Sequence, residues 1–530
     1  MIQDELLVRA VSRVKQRSEK QDDLQKLVGT FVDVGILPQL QNRNAQIFYG
    51  RRGTGKTHVL RVLGSRLAEE DSSNTVVYID ARTLGSTEQF TDEAIPMGRR
   101  CLALFQDVLG EIFNALLEHV VEHPSAKQEQ ALNAADDLSR IMLEPIKEYR
   151  EERLTERSTE KVSSASSRAA TISASVETAP RVKAGLDVRD VQGEQQEQSR
   201  SASFKVSTDD KIIFPALHAA LSSVLTLSES HLYILIDEWS SLPPDIQPYL
   251  AEFLKRGVLP LQRATLKIGS LEYRSRFEMN REGGRLIGFE VGADIAATQD
   301  LDDYYVFDRN PEKITAAYAD MLLRHLNSEL PENHLLQTYG IRNGSDLSSQ
   351  LFTARTFQEL ARASEGVVRD LINIFTIAYF NAHRRERADI DRKAILEAAR
   401  HWFEQDKERQ LDEHLERVLR RIVDEVIGSK KARSFLLPRE LERDPTIQRL
   451  FDARVLHQMQ RGYADKDKPG VRYNIYTLDY GTYVTLLGTS KEPQMELATG
   501  EDIANDPELV VPFDDKRSIR RIVLNADVLS

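Results

Sequence analysis

Hydrophobic and polar positions follow two rhythms along this chain. Short apolar runs, Gln46-Ile-Phe-Tyr49, Thr75-Val-Val-Tyr-Ile-Asp80, Leu232-Tyr-Ile-Leu-Ile236 and Thr265-Leu-Lys-Ile-Gly269, read as strands covered on both faces. Between them the apolar positions recur at helical spacing. Val59, Leu60, Leu63 and Leu67 share one face, and Leu102, Phe105, Leu109, Ile112 and Leu116 mark a long helix over 99–121. A more charged helical pattern follows over about 130–153, and another covers Phe214–Leu225. Two helical patterns, Glu5–Val14 and Asp23–Val34, precede the first strand, and a fifth strand is predicted at Asp303-Tyr-Tyr-Val-Phe307. Strands alternating with helices predict an α/β fold built on a parallel sheet. Helices dominate 311–427, and the last hundred residues mix short helices with Tyr-rich strands.

A compositional break interrupts this order. From Ser158 to Ser203 the chain is rich in Ser, Thr, Ala, Gln and Glu and nearly free of large apolar residues. It reads as part of an insertion spanning about 99–210, either disordered or a β-hairpin through Ala170–Val176, where apolar positions alternate. The 530 residues exceed what one core usually organises. The expected layout is a base with N-terminal helices over 1–310, a helical domain over 311–405, a smaller domain over 406–490 and a tail over 491–530.

Composition narrows the function classes. A single cysteine, Cys101, excludes an intramolecular disulfide and a multi-cysteine metal site, and it reads as a small buried side chain on a helix. No apolar run approaches the roughly 18 residues of a membrane span, and Met1–Ala10 carries mixed charge without a signal-peptide core. No membrane association is expected, and the cytoplasm is the natural compartment. With a net charge of −12, any nucleic-acid contact must come from a local basic surface.

Two segments carry chemistry. Gly50-Arg51-Arg52-Gly53-Thr54-Gly55-Lys56-Thr57 fits the phosphate-loop pattern G-x-x-x-x-G-K-[ST], with a strand before it and an amphipathic helix from His58 after it. Glycines let backbone N–H groups turn toward phosphates, and a helix N-terminus adds its positive dipole end. These eight residues and His58 are the candidate contacts to ATP. Lys56 would reach the β and γ phosphates, and the Thr57 hydroxyl would hold Mg²⁺. The second segment, His231-Leu-Tyr-Ile-Leu-Ile-Asp-Glu238, is an apolar strand ending in two carboxylates. Asp237 is placed to support Mg²⁺, and Glu238 to polarise an attacking water. The acidic pair favours hydrolysis over binding alone. No H-R-D-L or D-F-G signature of a protein kinase is present.

The order of these parts resembles AAA+ ATPases of the origin-recognition-initiator type, in which an ATPase base carries a helical lid and a C-terminal winged helix. The resemblance covers about residues 25–490 and rests on Gly50–Thr57, Ile236-Asp-Glu238, the later strand ending Ile268-Gly-Ser270, and Ser364-Glu-Gly-Val-Val-Arg369. It implies that Ser270 senses the γ-phosphate, although asparagine or threonine is usual there. It implies that Arg369 on the lid is a second sensor. An arginine of Tyr273-Arg-Ser-Arg-Phe277 would enter a neighbouring subunit's site, Arg276 being preferred over Arg274. A homo-oligomer follows from that role.

In the C-terminal region Leu411–Ile427, Pro438–Leu441 and Thr446–Phe451 read as helices, and Arg454–Tyr463 pairs with Val471–Tyr476 as a wing. Lys430, Lys431, Arg433, Arg439, Arg443, Arg449, Arg461, Lys466, Lys468 and Arg472 supply a basic set for DNA within 430–472, diluted by acidic neighbours. The segment Asp514–Asn525 reads as a docking strand or helix, or as a solvated end. An ATP-driven switch is thus expected, coupled either to DNA or, in a signalling or antiviral-defence role, to a separately encoded effector protein. A nucleotide-gated scaffold with little hydrolysis is the remaining class.

Overall fold

The computed structural model describes residues 1–529 except 22, 86–91, 125, 144–145, 154–203, 212, 281–283, 285, 298–299, 308–309, 430–433, 465–469 and 487–521. The low-complexity segment 158–203, its proposed hairpin at Ala170–Val176, and Lys430, Lys431, Arg433, Lys466 and Lys468 lie outside the described residues. Two compact units are present, one formed by residues 1–144 and 213–530, the other by 145–212.

Twelve strands are described in chain order. They are β1 (Gln46–Tyr49), β2 (Asn74–Asp80), β3 (Ile146–Arg153), β4 (Phe204–Lys211), β5 (His231–Asp237), β6 (Ala264–Ser270), β7 (Glu278–Asn280), β8 (Leu286–Gly288), β9 (Ala296–Ala297), β10 (Ser434–Pro438), β11 (Leu456–Ala464) and β12 (Arg472–Leu478). The main sheet runs β2-β5-β6-β1-β9, and every pair in it is parallel. Every residue of β5 is buried, as its unbroken apolar run requires, whereas β2 alternates buried and half-buried positions. Among the described residues the smaller unit is the antiparallel pair β3 and β4.

Three expectations are corrected. Asp303–Phe307 is not a strand: Leu301–Tyr304 forms a 3-10 turn started by Asp300, whose carboxylate accepts from Asp302 N at 3.0 Å. Tyr305, Val306 and Phe307 are buried one after another, with Tyr305 stacked on Tyr318 at 5.7 Å, so they serve as an anchor to the next domain. The edge position of the sheet belongs to β9, which pairs with Gln46 and Ile47. The helical pattern of 130–153 is in fact helix Gln128–Leu143 followed by β3, since Pro145 has no N–H to continue the helix. Pro438–Leu441 is not helical either. Pro438 closes β10, and a single 3-10 turn follows at Leu441–Arg443.

The lid contains helices Pro311–Glu329, His334–Tyr339, Gly344–Leu351, Thr356–Ala363, Val368–Arg384 and Arg392–Trp402. Helix Glu5–Arg13 packs on this lid rather than on the sheet: the Asp4 carboxylate accepts from His334 and from the Tyr339 hydroxyl, both at 2.9 Å. The Tyr379 hydroxyl donates to Ile2 O at 2.9 Å. Past the lid, helix Glu413–Val423, β10, helix Pro445–Asp452, β11 and β12 follow in the order of a winged-helix-like domain, with the three strands arranged β10-β12-β11. Of the C-terminal tail, Ile522 and Leu524 are buried, and Leu436 N donates to Ile522 O at 2.8 Å. The end of the chain therefore docks on its own β10.

Candidate nucleotide-binding site

Between β1 and helix Lys56–Glu70 the chain turns through Gly53 (φ +85°) and Gly55 (φ +99°), both in the left-handed region that favours glycine. A Cβ on Gly53 would come within 2.9 Å of Arg369 Cβ, so the loop and the lid touch at this point. Lys56 is buried at the helix start, and its ammonium donates to Gly50 O at 2.8 Å and Arg51 O at 3.0 Å. Burial lowers the Lys56 ammonium, against the pull of Glu238 and Asp237. Thr54 is buried and caps the loop by donating to Arg51 O at 2.9 Å.

Parallel pairing brings Asp80 level with Asp237 at the carboxyl ends of β2 and β5. The Thr57 hydroxyl donates to Asp237 Oδ2 at 2.6 Å, and Tyr78 from β2 donates to the same oxygen at 2.9 Å. Asp237 Oδ1 accepts from Glu238 N at 2.8 Å. Glu238 itself sits at φ +53°, a conformation that costs a non-glycine residue about 1–2 kcal/mol. Burial raises the Glu238 carboxyl, Lys56 opposes that shift, and Asp237 adds to it.

A cavity of about 440 Å³ opens over this loop. Arg52, Gly53, Gly55, Lys56, Thr57, His58, Glu238 and Arg369 line it together, so most of the predicted residues converge. Gly50, Arg51, Thr54, Asp237 and Ser270 are not on its wall. Arg51 points the other way, into a buried contact with Asp302 and the C-terminal domain. Asp237 stands behind Thr57. Ser270 is fully buried and shares a hydrogen bond with Ser275. His58 is tied to Leu27 O at 2.6 Å, and burial holds its imidazole down at about 4.

Arg369 lies in the first turn of helix Val368–Arg384, where its N–H donates to Gly53 O at 3.0 Å. Its buried Nε has no hydrogen-bond partner among the described residues. Arg276 is exposed after the 3-10 turn Glu272–Arg274, while Arg274 is paired with Asp452.

Several cavity residues were not found by sequence reasoning. Lys15, Arg17 and Glu19 reach it from the segment after the first helix, and Arg82, His325, Asp406 and Gln410 close other sides. Arg82 has a local signal, because it follows the strand-ending Asp80 and pairs with it at 2.6 Å. The others depend on long-range packing, which leaves no local pattern. Hydroxyl and carboxylate oxygens at Thr57 and Asp237 are hard donors that suit Mg²⁺. Among the described residues no group of three His, Cys, Asp or Glu side chains is placed to hold a metal, so the remaining donors would come from phosphates and water.

The parallel sheet, its glycine loop after β1 and the carboxylate at the end of β5, with β6 between the two strands, define a P-loop protein of the AAA+ class. Residues 17–294, more than half of the chain, match the model of the ORC-CDC6-like family, and the chain belongs to that family. No curated protein matches it. Among solved structures it is similar to the Aeropyrum pernix ORC2 protein in ADPNP and ADP complexes, at 9% identity over 86% of this chain and 88% of that one, TM-score 0.32. Pyrobaculum aerophilum Cdc6p matches at 13% identity over 90% and 94%, TM-score 0.31. A RuvB variant of Thermotoga maritima matches at 9% over 88% and 94%, TM-score 0.30. Likenesses this distant carry no information about activity. Among the described residues, no helix is long and apolar enough to cross a membrane.

Proposed function

We propose that this protein is an ATP-hydrolysing molecular switch. The observation that carries the reading is the convergence of Lys56, Thr57, Glu238 and Arg369 on one cavity at the phosphate loop. Lys56 and the backbone N–H groups of Gly53–Thr57 bind the phosphates, and Arg52 adds positive charge at the rim. Thr57 and Asp237 would hold Mg²⁺, which would supply positive charge beside the phosphates. Glu238 orients and deprotonates the attacking water; burial raises its carboxyl, and the nearby Lys56 opposes that rise. Arg369 reads the phosphate from the lid in cis. Ser270, held by Ser275, would act only at the edge of this arrangement.

Arg276 completes the site of a neighbouring copy, so the active form is a homo-oligomer. The partner moved by the cycle is DNA, approached through the C-terminal domain. Of the described members of the basic set within 430–472, Arg449 is paired with Asp412 and Arg461 with Glu272 and Asp300, and Arg439, Arg443 and Arg472 would make the contact.

Glu238→Gln tests the hydrolytic reading. It should retain ATP binding in a fluorescent-nucleotide titration and lose about 100-fold or more in turnover, the scale of a positioned general base. Unchanged phosphate release by that variant overturns the assignment. Measuring turnover with and without duplex DNA, beside oligomer mass with ATP, tests the partner: DNA-indifferent assembly would favour an effector protein instead.

A further inference from the structure

Arg51 belongs to the phosphate loop by sequence and to the C-terminal domain by contact. Its side chain is 5% exposed. Nε donates to Asp302 Oδ2 at 2.9 Å, and Nη2 donates to Glu365 O, in the turn before helix Val368–Arg384, at 2.9 Å. Nη1 bonds His457 Nδ1 on β11, and the Phe451 ring of helix Pro445–Asp452 lies 5.5 Å from the guanidinium carbon. Base, lid and C-terminal domain therefore meet on one side chain.

The chemistry of that contact fixes its direction. A guanidinium has no acceptor, so His457 Nδ1 accepts and Nε2 carries the proton, which it donates to Asp479 Oδ2 at 2.8 Å. Burial, and after it the Arg51 charge, holds His457 down at about 3, so the ring stays neutral. From Asp479 the chain of ions continues through Lys407 at 2.5 Å to Asp370 at 2.9 Å, then to Arg454 and to Asp406 on the cavity wall. Burial alone would raise the Asp370 carboxyl, but Arg454 and Lys407 outweigh it and hold it well below the carboxylate range.

The main chain of Arg51 carries the other half of the argument. Its carbonyl accepts from Lys56 Nζ at 3.0 Å and Thr54 Oγ1 at 2.9 Å, and its N–H donates to the same Asp302 oxygen that holds its guanidinium, at 3.1 Å. A displacement of β11 thus acts, through one residue, on the carbonyl that orients the phosphate-binding lysine.

We propose that Arg51 is a positioning residue that clamps the C-terminal domain to the phosphate loop, so that ATP binding and docking of that domain form one coupled equilibrium. The inference rests on reading the cavity as an ATP site. By linkage, whatever engages the C-terminal domain changes ATP affinity by the same factor that ATP changes its own.

The test uses the full chain. ATP affinity is measured by calorimetry, and hydrogen exchange is followed over Leu456–Ala464 with and without ATP. In the unaltered protein ATP should change exchange across β11. Arg51→Met should weaken ATP about tenfold, within the usual range of coupling, and abolish that change. Arg51→Lys, whose single ammonium cannot span the same partners, gives the same readout should the methionine variant not fold. His457→Leu should match Arg51→Met, and the double variant should be no weaker than either. A β11 response that survives in a folded Arg51 variant, or losses that multiply in the double variant, overturns the proposal. So does ATP binding by the unaltered protein with no response in β11, a result that leaves the ATP site itself standing. Absence of ATP binding by the unaltered protein removes the site reading and this coupling with it.

Discussion

Gly53 and Tyr78 show how closely single residues are specified here. An alanine at Gly53 would meet Arg369 Cβ at 2.9 Å while adopting a left-handed φ that costs about 1–2 kcal/mol. Gly53→Ala should therefore lower the melting temperature by several degrees, since about 1 kcal/mol is worth a few degrees in a chain this large, and should weaken ATP at the same time. Tyr78 shares Asp237 Oδ2 with Thr57. Tyr78→Phe removes one of those two hydrogen bonds, worth about 1 kcal/mol, and should raise the Mg²⁺ concentration for half-maximal turnover roughly fivefold. A magnesium titration of turnover that does not shift would show that the Tyr78 hydrogen bond is not needed to hold the carboxylate.

At the scale of elements, what could be read beforehand was the strands rich in apolar residues, β2 among them although it is only half buried. β5 is apolar from Leu232 to Ile236, β6 sets Thr265 and the buried Lys267 between its apolar residues, and the loop and helix around Lys56 follow a pattern with a fixed chemical purpose. Misreadings arose where burial has another cause. Tyr305, Val306 and Phe307 are apolar because they anchor the lid, a role that local spacing does not distinguish from strand pairing. Arg51 reads as a phosphate ligand because it stands in the loop, yet the partners that turn it away lie far along the chain at Asp302, Glu365 and His457. Helix Pro445–Asp452 gives another example. It reads as a short helix among the basic residues offered to DNA, but its Phe451 packs edge-on against Tyr273 at 5.2 Å, and its Asp452 pairs with Arg274. Phe451→Ala should cost about 3–5 kcal/mol, the usual loss for a buried phenylalanine, and chemical denaturation would measure it. A loss under 1 kcal/mol would mean that this helix is not docked on the base in solution.

For the whole molecule, buried histidines set the response to acid. Burial holds His58 at about 4 and both His325 and His457 at about 3, below the ordinary value of 6.5. The folded chain keeps these rings neutral while the unfolded chain protonates them. Their contribution is therefore fully present above pH 6.5 and is lost as pH falls toward the folded values, at about 1.4 kcal/mol per pH unit for each ring. Melting temperature should decline steadily from pH 6.5 to pH 4. A flat profile across that window would show that these rings remain solvated.

The order of the main sheet has a kinetic and an engineering consequence. β2 and β5 are neighbours, yet residues 81–230 run between them, including the pair β3 and β4. The Asp237 carboxylate thus reaches the glycine loop only after a long excursion has closed, which makes late formation of this pair the expected bottleneck in folding. Closure entropy grows only with the logarithm of length, about 0.6 kcal/mol per doubling, so this excursion tolerates cargo. A fluorescent protein inserted between Arg153 and Phe204 would ride on the molecule at little cost to the sheet, and would make its assembly visible in a living cell.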